Sequence, residues 1–209
     1  MRSIQHNDCF KETKNILNKN LSKKFIYLKA ILFLIITIIW VFLLGFGTPI
    51  FLLGGFIFGK WVGTLLVVFG LSTGATILYI FANYFLKDLI KNKFSSRFSN
   101  LNEKFKQNEF SFFLIYRFVG GIPFFISNIL PTLFNVKIRN FFFGSLIGMT
   151  PQLFVGTTLG SGIEKIINKN KEAPTFLELI ASSEIYIPVL GFIFLVILGF
   201  FLKRFFYNN

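Results

Sequence analysis

The sequence predicts an all-α polytopic membrane protein with four spanning helices and two opposed re-entrant hairpins that form an inverted repeat. Three observations carry this prediction. Of 209 residues, 54% are apolar and 15% charged, against about 25% charged in an ordinary soluble domain, and the charges stand in blocks between long apolar runs. Two of those runs are broken by Gly and Pro in a way that ordinary spans are not. A shift of 74 residues also brings one half of the core into register with the other.

The elements follow in chain order. Residues 1–24 read as a basic cytoplasmic tail. Residues 25–45, interrupted only by Lys29, cover a ~30 Å hydrocarbon core at about 1.5 Å per residue and predict the first transmembrane helix. A signal peptide is disfavoured, because the polar stretch ahead of the run exceeds an ordinary n-region and no small-x-small cleavage site follows. Residues 46–59 contain Gly47, Pro49, Gly54 and Gly55 and predict a hairpin broken at Pro49. Such breaks survive at membrane depth only where protein or a water-filled cavity satisfies the freed backbone groups. Residues 61–86 predict the second span.

In residues 87–109, Ile90, Phe94, Phe98, Leu101 and Phe105 recur at helical spacing, with Lys91, Lys93, Arg97, Lys104 and Lys106 elsewhere on the wheel. That pattern predicts a basic amphipathic helix lying in the cytoplasmic interface. Residues 110–134 hold Arg117, Gly120, Gly121, Pro123, Asn128 and Pro131, predicting a second hairpin broken at Gly120, Gly121 and Pro123. Residues 141–160, with Thr150, Pro151 and Gln152 at their centre, predict a span that faces other helices. An external loop over 161–184 and a last transmembrane helix with a short basic tail, 185–209, complete the chain around a core of residues 46–160.

The repeat aligns Gly47 with Gly121, Pro49 with Pro123, Phe51 with Phe125, Val62 with Val136, Phe69 with Phe143, Gly70 with Gly144, Gly74 with Gly148 and Thr76 with Thr150. Each unit reads as a Pro-broken hairpin followed by a span. Opposed hairpins make the two units inverted in topology, whereas a full span over 110–134 destroys that symmetry. The pairs Gly59/Gly63, Gly70/Gly74, Gly144/Gly148 and Gly156/Gly160 let helix backbones approach closely, which is how helices associate in lipid. With both hairpins returning to the side they leave, 17 Lys and Arg fall on one side and 4 on the other. The positive-inside rule then puts both termini in the cytoplasm and the protein in the cell membrane.

Chemistry-bearing residues are few. His6 and Cys9 lie together in the polar tail, too few ligands for a metal. No carboxylate falls mid-membrane, where a proton relay needs one. No catalytic constellation, metal site or cofactor site is expected, and the chain does not read as an enzyme. Arg117 stands out, because an arginine deep in a membrane helix costs about 2.5–3.5 kcal/mol unless paired, hydrated or snorkelling. It either reaches headgroups or carbonyls, or grips a lipid phosphate with its planar fork. Asn128 and Gln152 are candidates for the same contact, and Thr150 for its lining, each with helix-to-helix hydrogen bonding as the competing role. Lys60 is expected to snorkel at the outer face. The partners expected are membrane lipids, with anionic headgroups at the cytoplasmic face, no nucleic acid, and a second copy of the chain as an option.

The stretch Gly55 to Gly59, Lys60, Trp61, Val62, Gly63 and Thr64, continuing through Gly70, Gly74 and Ala75 to Tyr79, resembles the first half of the SNARE-associated Golgi protein family, also called DedA-like or VTT-domain proteins. Tyr116, Arg117, Pro123, Asn128, Asn140, Phe141, Gly144, Gly148 and Pro151 resemble its second half. The likeness runs from about Thr48 to Gly160 and is greatest to the Tvp-type branch. The resemblance implies two opposed re-entrant loops, membrane homeostasis and transbilayer lipid movement, since relatives include phospholipid scramblases and undecaprenyl-phosphate translocases. Arg117 matches the family's arginine in the second hairpin. The DedA branch carries an acidic residue in its first hairpin and a further arginine after the second hairpin's proline. Here residues 46–59 contain no carboxylate and residues 124–128 no arginine, which argues against proton coupling and the undecaprenyl-phosphate role. The expected function is therefore scramblase- or flippase-like lipid movement. The alternatives are a small-solute or ion transporter on the same repeat, and a non-transporting membrane scaffold.

Overall fold

A computed structural model describes residues 24–43, 45–89, 108–119, 122–169 and 181–208, and these are helical with short connections. In chain order they form α1 (Lys24–Phe42), α2 (Gly47–Phe85), α3 (Glu109–Val119), α4 (Phe124–Ile129) with a 3-10 turn over Leu130–Phe134, α5 (Ile138–Lys169) and α6 (Ser183–Asn208). The basic amphipathic helix expected over 87–109 lies outside the described residues for 90–107.

α2 is two helices joined at Gly59, whose φ of 74° and ψ of 174° interrupt the helical backbone. This conformation is essentially restricted to glycine, and the chain doubles back there. A Cβ on Gly63 would run into the carbonyl of Gly54, and one on Gly54 into Val67. Residues nine and thirteen apart meet only if 47–58 and 60–85 lie antiparallel. α1 lies alongside 60–85 in the same direction, with Thr37 against Gly70, Val41 against Gly74 and the Phe42 ring 5.5 Å from that of Phe81.

The chain thus runs down α1, returns along 47–58, turns at Gly59 and sets off along 60–85, with a first turn between α1 and Gly47. Trp40 fastens the first of these turns by donating its indole N–H to the Phe46 carbonyl at 2.9 Å. This corrects the expectation that Pro49 breaks a hairpin confined to 46–59. Pro49 sits in the first turn of α2, where a missing N–H costs no helix bond, and the reversal lies just before it. Gly59, expected to pack against a neighbouring helix, has nothing within 4 Å of a Cβ position and serves as the turn instead.

The second half repeats the plan. α3 runs in, and α4 with its 3-10 turn runs back. Tyr116 donates to the Ser127 carbonyl at 3.1 Å across this hairpin. Asn135, with φ 50°, marks the turn into α5 much as Gly59 marks the turn into 60–85. The two long helices cross in opposite senses, with the Thr64 and Thr157 hydroxyls 2.6 Å apart near one end and the Tyr79 and Phe141 rings stacked at 4.4 Å near the other. α6 returns antiparallel to α5, placing Gly191 beside Val155 and Gly162 against the Glu184 backbone. Helix continues to Lys169 where a loop was expected from 161, and residues 170–180 lie outside the described residues.

One end of the bundle holds the start of α1, Gly59, the end of α5 and the start of α6. The opposite end holds Phe85, Asn135 and the end of α6. Lys24, Lys29, Lys60, Lys165 and Lys169 therefore gather at the first end, with Lys87, Lys137 and Arg139 at the second. This packing separates the start of α1 from the end of α6 and does not reproduce the expected 17-to-4 division. The reason is that α1 and 60–85 run the same way. Among the described residues the outer faces are largely apolar. On α1 alone Ile31, Leu32, Ile35, Ile36 and Ile39 are all about half exposed, a surface that water does not tolerate and lipid does.

Candidate functional site

The site is built where the second hairpin meets α5. Glu109 opens α3, and its carboxylate accepts the Lys137 backbone N–H at 2.7 Å and the Asn140 amide at 2.9 Å. It thereby ties the base of the hairpin to the first turn of α5 and satisfies an N–H that has no partner within that helix. Its place among the carboxylates outside the spans gave no sign of this. Asn140, by contrast, belongs to the pattern on which the family resemblance rests.

Two glycines bring the elements together. A Cβ on Gly144 would lie 2.7 Å from the Phe113 ring and one on Gly148 would lie 2.8 Å from both the Arg117 Cβ and the Leu114 carbonyl. Gly144 and Gly148 form the strip of α5 on which α3 lies. Gly63, Gly70 and Gly74 do the same for 47–58 and α1. Gly55 and Gly160 are the tightest approaches, since a Cβ on either would fall on a backbone carbonyl, that of Thr157 or of Leu52.

On that strip sits Arg117, 4% exposed. Its guanidinium carbon is 5.2 Å from the Phe113 ring centre and 4.8 Å from that of Phe141, and the two rings pack 4.9 Å from one another. The aromatic side supplies a cation–π attraction worth about 2 kcal/mol once desolvated. One terminal nitrogen donates to the Ser127 hydroxyl at 3.0 Å, and that hydroxyl donates to the Phe124 carbonyl at 2.7 Å. The remaining edge, Nε and Nη2, is buried without a protein partner. No ion pair with Arg117 occurs among the described residues.

Asn128 is fully buried with both amide atoms unpartnered, as are the hydroxyls of Thr132 and Ser145. Sequence reasoning missed Ser145 and Thr132, and helical spacing alone offered the signal. Phe141, Ser145 and Gly148 stand at i, i+4 and i+7 on one face of α5, and the outer two both touch Arg117. Gln152 lies one turn beyond Gly148 and donates to the Phe118 carbonyl, pinning the inner end of α3 to α5. It touches the hairpin backbone and not the guanidinium. Thr150 bonds to the Leu146 carbonyl of its own helix at 2.5 Å. Pro123 caps α4 at the reversal, while Gly120 and Gly121 lie outside the described residues. Among the described residues no group of three His, Cys, Asp or Glu side chains is placed to hold a metal.

The arrangement presents one hydrogen-bonding edge of a guanidinium, beside hydroxyl and amide groups, at the inner end of a hairpin. A planar fork of this kind binds two oxygens of one phosphate or carboxylate.

The chain is 29% identical over 178 residues to a Transmembrane protein 41 homolog of Dictyostelium discoideum, covering 79% of this chain and 53% of that protein. A Transmembrane protein 41 homolog of Caenorhabditis elegans is 28% identical over 138 residues, 63% of this chain and 56% of the relative. The Uncharacterized protein YqeD of Bacillus subtilis is 30% identical over 111 residues, 52% of this chain and 53% of the relative. The chain thus spans about half the length of these relatives. No solved structure matches. The VTT domain profile matches residues 44–162, which contain 47–58, 60–85, the second hairpin with Arg117 and most of α5, and the chain belongs to the VTT-domain family of membrane proteins.

Proposed function

We propose that this protein moves lipid between the leaflets of a membrane, with Arg117 as the contact for the lipid phosphate. The observation that carries the reading is a buried guanidinium with one edge free of protein partners at the inner end of a hairpin. In membrane proteins such a charge marks a pathway or substrate site by default. In this reading the two hairpins are re-entrant, dipping from opposite faces. The return arm 47–58, at about 18 Å, and α3, at about 16 Å, are each too short to cross ~30 Å of hydrocarbon. The long helices 60–85 and α5, with α6, are the spans, while α1, 19 residues and about 28 Å long, is the long arm that leads into 47–58.

Arg117 is enclosed in the resting arrangement, so a headgroup reaches it only when the second hairpin parts from α5. Two polar ties oppose that parting. Gln152 holds the inner end of α3 and Glu109 holds its base. The positioning role that the geometry favours for Gln152 is therefore a latch, and its replacement by Leu is expected to speed exchange. Asn128 and Thr132, buried and unpartnered on the return arm, take their hydrogen bonds when polar lipid atoms enter.

The test is leaflet exchange of fluorescent phospholipid in vesicles carrying the purified protein. Exchange above protein-free vesicles, cut at least tenfold by Arg117→Ala, is the expected result. Exchange indifferent to Arg117→Ala, or none at all, rejects the mechanism. Solute flux driven by a pH gradient in the absence of lipid exchange would favour a transporter on the same repeat. Activity lost on neutralising Lys91, Lys93, Arg97, Lys104 and Lys106 but not on Arg117→Ala would favour a scaffold.

A further inference from the structure

We propose that in the resting arrangement a single small inorganic anion, chloride in ordinary salt, sits at the free edge of Arg117 as its counter-ion, so that a lipid phosphate enters by displacing it. The proposal concerns the occupant of the same site, but it does not require lipid to move.

A guanidinium cannot lose its proton inside a protein, and its burial without an ion pair costs several kcal/mol that hydrogen bonds or an anion must offset. The charge is partly met. Phe113 and Phe141 cover one side and the Ser127 hydroxyl takes one nitrogen at 3.0 Å. Nε and Nη2 remain, and rings do not accept their in-plane N–H groups as an anion does. Nearby Ser145 is 0% exposed and its hydroxyl has no partner. It stands between Phe141 and Gly148 on the face of α5 that touches Arg117. Asn128, next in the chain to Ser127, and Thr132, one turn further on, add two more buried and unpartnered side chains. Their free groups include three N–H or O–H donors, and no carboxylate joins them among the described residues. The chemistry is that of an anion site.

Size selects among anions. Arg117 is 4% exposed and Ser145, Asn128 and Thr132 are fully buried. A phospholipid headgroup continuous with two acyl chains has no way to occupy so enclosed a place until the hairpin parts from α5. A monatomic ion asks for the least room of any anion, accepts N–H and O–H donors from any direction, and needs no shape of its own.

The measurement is chloride-35 NMR line width on the full chain in a neutral maltoside detergent, with gluconate replacing chloride at constant ionic strength. Saturable broadening that bromide reverses is expected. Arg117→Gln and Arg117→Lys should abolish it or weaken it strongly, and Ser145→Ala should weaken it about tenfold, the value of one hydrogen bond to a charged group. A circular dichroism spectrum matching the parent in gluconate shows that each variant is folded. Should Arg117→Gln not fold, Ser145→Ala alone decides the matter. Absence of saturable broadening, or broadening unchanged by Ser145→Ala, overturns the proposal. Broadening that is absent while inorganic phosphate protects the protein against heat also overturns it and assigns the site to phosphate. Because no lipid exchange is read, failure here leaves the lipid-movement reading to its own test.

Discussion

At the residue scale the account rests on one charge and one backbone angle. Arg117 lies beneath two aromatic rings with one edge unpartnered, and Arg117→Ala is expected to cut lipid exchange at least tenfold without lowering helix content, measured by circular dichroism. Gly59 stands in a conformation that an L-residue occupies at a cost of about 1–3 kcal/mol. Gly59→Ala is therefore expected to lower thermal stability by that amount although nothing surrounds the site. A shift within experimental error would show that the turn does not need glycine. Gly55→Leu should do worse, because its side chain would be driven into the Thr157 carbonyl and separate 47–58 from α5.

At the scale of elements, the hairpin base depends on Glu109. Glu109→Ala leaves the Lys137 N–H and the Asn140 amide without their acceptor, for a loss of about 1–3 kcal/mol. Amide exchange at Lys137 should accelerate accordingly, and Glu109→Gln should restore part of the protection. Exchange at Lys137 unchanged by Glu109→Ala would mean that the tie does not hold the hairpin. Much at this scale was legible in the sequence. Long apolar runs pointed to helices, which is what the described residues form, and Pro123 stands at the start of the return arm of the second hairpin. Gly63, Gly70, Gly74, Gly144 and Gly148 stand where helix backbones approach closely. What escaped was which glycine turns and which packs. Gly59 and Gly63 look alike as letters four apart, and only the return of 47–58 against 60–85 separates their roles. Ser145 escaped for a related reason. An isolated serine in an apolar run says nothing until its neighbours on the helix face are seen to touch Arg117.

At the scale of the whole molecule, two units of similar plan run in opposite senses, and α6 closes the bundle beside α3 and α5. α1 is long and apolar enough to cross a membrane, and Thr37 and Val41 pack it against Gly70 and Gly74, parallel to 60–85, a relation that no hydropathy pattern encodes. Single cysteines at Lys60 and Lys137, in a Cys9→Ser background, are expected to react with impermeant reagent from opposite faces. Labelling from one face would contradict the inverted arrangement.

The central claim, that lipid reaches Arg117 when the second hairpin parts from α5, is open to a direct measurement. A disulfide between Phe118→Cys and Gln152→Cys, in the Cys9→Ser background, would hold the inner end of α3 where Gln152 now bonds the Phe118 carbonyl. In vesicles, leaflet exchange should stop on oxidation and return on reduction within the same sample. Exchange that continues at full rate through the closed disulfide would contradict the account.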